Sequence, residues 1–237
     1  MKGLAARGHQ VFVVSHFPQA HTVPNYTDIS LVGSMKYAVE DKPLENIGNG
    51  DVLLSINALA DMAVETCEKT LSFPRIQRLI TSGEKFDLII DEPFNTDCML
   101  GFVHKFKVPF ITIATSVMMP WVNERFGNPD NPSYIPHHFL AHTDQMSFSE
   151  RIANTVYQMS AKWAYHFLMD MPTQRIARRY FGDSLPPLAD IARNTSLLLL
   201  NSHFSMNQPR PLVPQIAEVG GLHLSPPAPL PAVLYYF

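Results

Sequence analysis

Residues Lys85 to Thr115, KFDLIIDEPFNTDCMLGFVHKFKVPFITIAT, constrain the fold more tightly than any other stretch. Leu88 to Ile90 is a short apolar run that stops at two acids, Asp91 and Glu92, the pattern of a buried strand ending in polar surroundings. Asn95, Thr96 and Asp97 then offer side-chain oxygens for a helix N-cap, and Met99, Phe102, Val103 and Phe106 recur at helical spacing. After Pro109 a second apolar run, Phe110 to Ala114, predicts another strand. Together these make a β-α-β unit, whose crossover places the two strands parallel in one sheet. Ligands of such sheets bind beyond the carboxyl ends of the strands. Asp91, Glu92 and Asp97 sit there, so an active site is expected at this edge.

The same patterning extends in both directions. Met1 to Arg7 reads as a piece of helix closed by Gly8, Val11 to Ser15 as a buried strand, and Asp28 to Val32 as a short one. Lys36 to Asp51 is polar and loop-like. Val52 to Thr70 carries Leu53, Ile56, Leu59, Ala60, Ala63 and Val64 at helical spacing. Pro74 to Ser82 is a helix with proline in its first turn and Gly83 at its end. Met118 to His142, rich in Pro, Asn and aromatics, predicts a long ordered loop of the kind that carries function. Ser147 and Glu150 form a capping box for a long helix. On that helix Phe148, Ile152, Met159, Trp163 and Phe167 make a stripe expected to face the core rather than a membrane or a cofactor. Pro172 to Gly182 holds a further helix, and Ser196 to Asn201 and Ile216 to Val219 read as strands. The expected organisation is one domain over residues 1–225, then a linker-like PPAPLP segment and apolar tail over 226–237. Strands alternating with helices give an α/β class with a doubly wound parallel sheet.

Composition narrows the function classes. The hydrophobic fraction is 46% and the charged fraction 16%, and the net charge of −3 leaves no electrostatic footprint for nucleic acid. Arg175, Arg178 and Arg179 form the densest basic spot and read as a solvated helix face. Cys67 and Cys98 are too few for a disulfide framework and lack a CxxC partner for metal; in helical patterns they are expected to be buried free thiols. No apolar run reaches the ~18 residues a membrane span needs, and no signal peptide follows Met1. On those grounds the chain reads as soluble and intracellular. Two glycosylation sequons, Asn25-Tyr26-Thr27 and Asn194-Thr195-Ser196, point the other way. The absence of GxGxxG and of a P-loop speaks strongly against a third reading, an unrelated nucleotide-binding domain.

Several stretches resemble the UDP-glycosyltransferase family in its insect form. They are LAARGHQVFVVSHFP followed by PNYTDI, FDLIIDEPFNTDC, NPSYIP, NSHFSMNQPRPLVP, and EVGGLH with PPAPLP near the end. They occur in family order across nearly the whole chain. The resemblance implies a GT-B fold of two Rossmann-like halves, of which this chain looks like the N-terminal, acceptor-binding half. The HGG and DQ features of the donor half are missing. The family's first strand, with the loop that carries its catalytic histidine, precedes the helix ending in LAARGH, so the chain reads as starting after it. That strand is expected between Val11–Ser15 and Leu88–Asp91, and without it both would lose a partner. The family setting is the endoplasmic reticulum lumen, anchored by a C-terminal span.

By the same resemblance, the chemistry is an inverting transfer of a hexosyl group from a UDP-sugar to a hydroxyl of a small lipophilic acceptor, as in detoxification. A histidine acts as general base and a carboxylate at a strand end orients it. Glu92, in Asp91-Glu92-Pro93-Phe94, matches the position of that carboxylate. It departs from the family in being Glu for Asp and in having one extra residue before Cys98. Asp97 is the alternative and Asp91 a weaker one. Trp121 and Phe126, in the long loop, are the acceptor contacts implied, and equally fit a plain core. His16 ends its strand at the same sheet edge, but its family position more often holds a non-basic residue. His9, His104, His137, His138 and His203 read as structural. No metal and no resident cofactor are expected; UDP-sugar is the co-substrate. Expected partners are the acceptor, the donor-binding domain and, in a second reading, full-length relatives for which the chain is a non-catalytic companion. General base catalysis is worth about 10²–10⁴-fold, and positioning about 7–11 kcal/mol. Lacking both, the chain alone is expected to be inactive.

Overall fold

A computed structural model describes residues 1–35 and 52–224. The expected loop Lys36–Asp51 and the linker and tail of 226–237 lie outside the described residues. In chain order the elements are α1 (Lys2–Ala6), β1 (Val11–Ser15), β2 (Tyr26–Ser30), α2 (Val52–Ser72), α3 (Pro74–Thr81) and β3 (Ile89–Asp91). A 3₁₀ turn at Cys98–Leu100 leads into α4 (Gly101–Phe106), followed by β4 (Phe110–Ala114). A second turn at Pro120–Val122 leads into α5 (Asn123–Phe126), and α6 (Phe148–Ala164) runs through a π-helical stretch, Tyr165–Asp170, into α7 (Met171–Phe181). Last come α8 (Leu188–Ala192), β5 (Leu198–Leu200), α9 (Phe204–Asn207) and β6 (Ile216–Glu218).

Every strand pairing is parallel, and each parallel pair in the larger sheet is joined through helix, as βαβ crossovers require. The order is β3-β4-β5-β6 in one sheet, with Asp91 opposite Thr112 and Ala114 opposite Leu200. β1 and β2 form a separate two-stranded sheet. Among the described residues β1 and β3 do not pair, so each keeps one edge open. What joins the two sheets is side-chain packing. Phe12 meets Phe86 edge to face at 5.3 Å, and the contact continues through Phe106 and Phe102 to Phe181. Gly101 lies under the Phe181 ring, where a Cβ would collide with ring carbons, so that turn accepts no side chain.

Local chemistry sets the ends of the elements. Pro74 supplies a fixed φ at the start of α3, and Lys107 closes α4 in a left-handed turn at φ 54°. The capping box is present: Ser147 Oγ accepts from the Glu150 amide, and the Glu150 carboxylate accepts from the Ser147 amide. Pro172 has no N–H to return to Leu168 and its ring crowds that carbonyl. The π-helical stretch just before it lets the helix continue without a break.

The core divides along the strands. Phe110, at the start of β4, joins Cys67, Leu71, Ile76, Leu100, Ile176 and Leu188. Ala114, at its end, joins Ile56, Ala63, Trp121, Tyr165, Met169 and Leu200. Both α2 and the 148–181 helix contribute to the two clusters, entering at the strand-end cluster and leaving at the strand-start one. Both therefore run antiparallel to the strands.

Two expectations are corrected here. Cys67 and Cys98 are joined in a disulfide, with Cα atoms 5.7 Å apart, and are not free thiols. The bond joins the 98–100 turn to α2 across a sequence separation of 31, a proximity that no local pattern encodes. The stripe of the long helix faces outward: Phe148, Ile152, Met159, Trp163 and Phe167 are all exposed, Trp163 at 64%. The buried face carries Asn154, Gln158, Ala161, Tyr165, Met169 and Thr173 instead. Polar partners decide the rotation. Asn154 Oδ1 accepts from the His137 amide while its Nδ2 donates to the Pro132 and Ile135 carbonyls. Gln158 reaches Asp130, and the Tyr165 hydroxyl donates to Asp97.

Candidate functional site at the carboxyl edge of the sheet

The strand ends β3, β4 and β5 bring Glu92, Thr115 and Asn201 into one row. Glu92 follows the last residue of β3 and is exposed; its Oε1 accepts from Thr115 Oγ1 at 2.5 Å. Asn201 Nδ2 donates to the Thr115 carbonyl, and its Oδ1 accepts from the Gly221 amide. Each strand end thus fixes its neighbour, and the Glu92 carboxylate stands in solvent at the front.

Beneath this row lies a buried charged cluster. Asp97 is 4% exposed, and its Oδ2 accepts from Arg125 Nη2 at 2.7 Å and from the Tyr165 hydroxyl at 2.8 Å. Trp121 stacks on Tyr165 with ring centroids 4.9 Å apart, and its Nε1 donates to the Phe94 carbonyl at 2.8 Å. Asp91, the last residue of β3, shares this environment: burial first, and the Asp97 charge second, push its carboxyl up to about 7. Burial and then Asp97 also hold the Tyr165 phenol well above its ordinary value. The three acids therefore differ in kind. Glu92 is open to solvent, Asp97 is committed to Arg125 and Tyr165, and Asp91 is partly protonated at neutral pH. Of the three cap oxygens expected from Asn95, Thr96 and Asp97, that of Thr96 accepts from the Cys98 amide, and Asp97 makes no side-chain cap bond.

The other sequence candidates disperse. Trp121 is 5% exposed inside the core, and Phe126 packs half-buried against the same cluster. The Met118–His142 segment is part helical, and its His137 and His138 stack on each other with burial driving them down to about 4 and about 3. They border a polar cavity of about 10 Å³, barely room for one water molecule. His16 ends β1, where its Nε2 lies 3.1 Å from Ser34 Oγ, in the smaller sheet. His203 Nδ1 accepts from the Ser205 amide and so starts α9. His104 lines a cavity of about 320 Å³ at the opposite end of β4, with Pro186 and Asp190. Among the described residues no group of three His, Cys, Asp or Glu side chains could hold a metal ion. Sequence reasoning missed Arg125, Tyr165 and Thr115. Arg125 is the one Lys or Arg in the Met118–His142 segment, a weak sign of a buried ion pair.

A parallel α/β sheet with one open carboxylate, Glu92, in a polar row along its carboxyl edge is the class of protein this fold defines. The chain belongs to the family described as "UDP-glucoronosyl and UDP-glucosyl transferase", which it matches over residues 4–237. The family's Rossmann-like GT-B architecture agrees with the parallel strands and helices seen here. UDP-glucosyltransferase 2 of Dactylopius coccus is 35% identical over all of this chain and 46% of its own length. A second UDP-glycosyltransferase of that organism is 36% identical over 96% of the chain and 44% of its own length. The 2-hydroxyacylsphingosine 1-beta-galactosyltransferase of Rattus norvegicus is 30% identical over 62% of the chain. The chain spans about half the length of the first two relatives. No solved structure matches it.

Proposed function

We propose that this chain is the acceptor-binding half of a UDP-glycosyltransferase, and that Glu92 is the carboxylate that serves its chemistry. The reaction is transfer of a hexosyl group from a UDP-sugar to a hydroxyl of a small lipophilic acceptor, with inversion at the anomeric carbon. A histidine removes the acceptor proton, and Glu92 accepts a hydrogen bond from the imidazole and stabilises its positive charge. The observation that carries this choice is the contrast between the acids: Glu92 is exposed at a strand end and oriented by Thr115, whereas both Asp97 hydrogen-bond donors are structural. The acceptor class is supported by the relative that, by its name, acts on a 2-hydroxyacylsphingosine. Of the two aromatics assigned to acceptor contact, Phe126 is the more accessible, being half-buried against the core cluster in which Trp121 is 5% exposed.

The disulfide supports a location in the endoplasmic reticulum lumen, since such bonds persist in oxidising compartments. The donor half that holds the UDP-sugar belongs to the longer parent, as the half-length match to the relatives supports. In the complete transferase, Glu92→Gln should lower kcat by about 10²–10⁴-fold with the fold intact. Asp97→Asn should lower the melting temperature instead. Full activity in Glu92→Gln beside a folded, inactive Asp97→Asn would transfer the role to Asp97.

A further inference from the structure

We propose that Asn201 is a positioning residue for Glu92, holding the carboxylate through Thr115 and tying it to the turn at Gly220-Gly221. The inference rests on Glu92 serving the chemistry. Both ladders that flank β5 stop at its last residue: Leu200 lies opposite Ala114 in β4 and Glu218 in β6. Just past them the main chain still makes two bonds. The Asn201 amide donates to the Ala114 carbonyl at 2.9 Å, and the Val219 amide to the Leu200 carbonyl at 2.8 Å. Beyond these the Asn201 side chain takes over. Its Nδ2 donates to the Thr115 carbonyl at 3.0 Å on the β4 side, and its Oδ1 accepts from the Gly221 amide at 3.0 Å on the β6 side. A central strand of a parallel sheet bonds to both neighbours in this way, through its peptide groups. The carboxamide therefore acts as one more peptide unit beyond the end of the ladder. Asp in its place would lack the N–H, and Leu would lack both groups.

The bond from Thr115 Oγ1 to Glu92 Oε1 needs such support. Both residues are exposed, so hydroxyl and carboxylate can each turn to water at little cost. A donor held in one place removes that freedom. Thr115 is branched at Cβ, which restricts its χ1, so a fixed backbone sets where the hydroxyl lies. Asn201 fixes that backbone at the Thr115 carbonyl. The other end of the relay is equally constrained. A Cβ on Gly220 would lie 2.8 Å from the Ser202 carbonyl oxygen, so the turn comes this close to β5 because that position is glycine. Gly221 has a φ of 86°, a conformation that favours glycine, and its amide points to Asn201. A displacement of this turn therefore reaches Glu92 through Asn201 and Thr115.

The test is a set of cycles in the complete transferase. Asn201→Ala and Thr115→Val should each lower kcat by about tenfold to a hundredfold, while KM for the acceptor changes by less than about threefold. Thr115→Ser keeps the hydroxyl and should keep most of the activity. Gly220→Ala should reproduce the loss from the far end of the relay, because its added methyl meets the Ser202 carbonyl. Placed in a Glu92→Gln background, Asn201→Ala, Thr115→Val and Gly220→Ala should lower kcat no further, since all three act through that carboxylate. A residue that only supports the fold would add its loss to that of Glu92→Gln. In the chain itself, the Gly221 amide should exchange slowly with deuterium and lose that protection in Asn201→Ala. Losses that multiply with that of Glu92→Gln, undiminished kcat in Asn201→Ala or Gly220→Ala, or a freely exchanging Gly221 amide in the wild type would overturn the relay and leave Glu92 in its role. A fully active Glu92→Gln enzyme would instead remove the function proposed above, and the relay with it.

Discussion

Breaking the Cys67–Cys98 bond should cost this chain a large part of its stability. The bond ties α2 to the turn that begins α4 across a sequence separation of 31, and the segment it closes contains α3, β3 and Glu92. Closing a loop of that length in the unfolded chain removes about 12 cal/mol/K of entropy, or about 3.7 kcal/mol at 25 °C. A domain has about 5–15 kcal/mol in total, so the bond supplies a quarter or more of it. For a chain of this size that corresponds to a fall in melting temperature of roughly 7–15 °C. The clean comparison is the oxidised against the reduced wild-type chain, because both sulfurs stay in the core and only the cross-link changes. Cys67→Ala with Cys98→Ala should then melt at or slightly below the reduced chain, and reductant should leave it unmoved. Thiol labelling of the denatured, unreduced wild type should find no free cysteine. Two labelled thiols, or melts for oxidised and reduced chains within about a degree of each other, would refute the reasoning.

Arg125→Met should destabilise by about 3–5 kcal/mol in denaturant unfolding, because it leaves the Asp97 carboxylate buried without its cation. The pH dependence of stability should carry the signature of Asp91, whose folded value of about 7 lies above its unfolded one. Between about pH 4 and 7 the folded chain keeps a proton that the unfolded chain releases, so stability falls as pH rises, by at most ~4 kcal/mol. His137 and His138 act in the opposite sense: their lowered values mean stability is lost as pH falls from about 6.5 toward 4. The difference between wild type and Asp91→Asn, read as urea midpoints across that range, isolates the acid; a flat difference would refute it. Asn154→Leu should cost about 3 kcal/mol or more, since it orphans the His137 amide and two carbonyls.

The central β-α-β unit was legible because apolar runs, proline and helical spacing all agree there, and the structure places its strands within a residue or so of the expected limits. The capping box was legible for the same reason: its two hydrogen bonds are local. The rotation of the long helix was not. Counting apolar residues marks Phe148, Ile152 and Trp163 as the inner face, but the deciding groups are Asn154, Gln158 and Tyr165, whose partners come from segments far away in sequence. The disulfide fails in the same way, as two cysteines 31 residues apart on helical patterns say nothing about meeting. At the site the acids were visible as a cluster, while their division into exposed, ion-paired and partly protonated depends on Arg125 and Thr115, supplied by other elements.

The separation of the sheet into two parts also sets how this molecule opens. β1 and β2 hold five residues each in mutual register. Among the described residues they are tied to the larger body by the Phe12–Phe86 contact, by Leu31 in the core and by the Arg75 guanidinium on the Ser30 carbonyl. Side-chain ties of this kind are fewer than the hydrogen-bonded ladder that holds β3 to β6. In hydrogen exchange the first pair should behave as its own cooperative unit, losing protection at a free energy below that of global unfolding. The amides of β4 and β5, central in their sheet, should exchange last. The molecule thus has a weak seam along the open edge of β3, beside the strand end that presents Glu92.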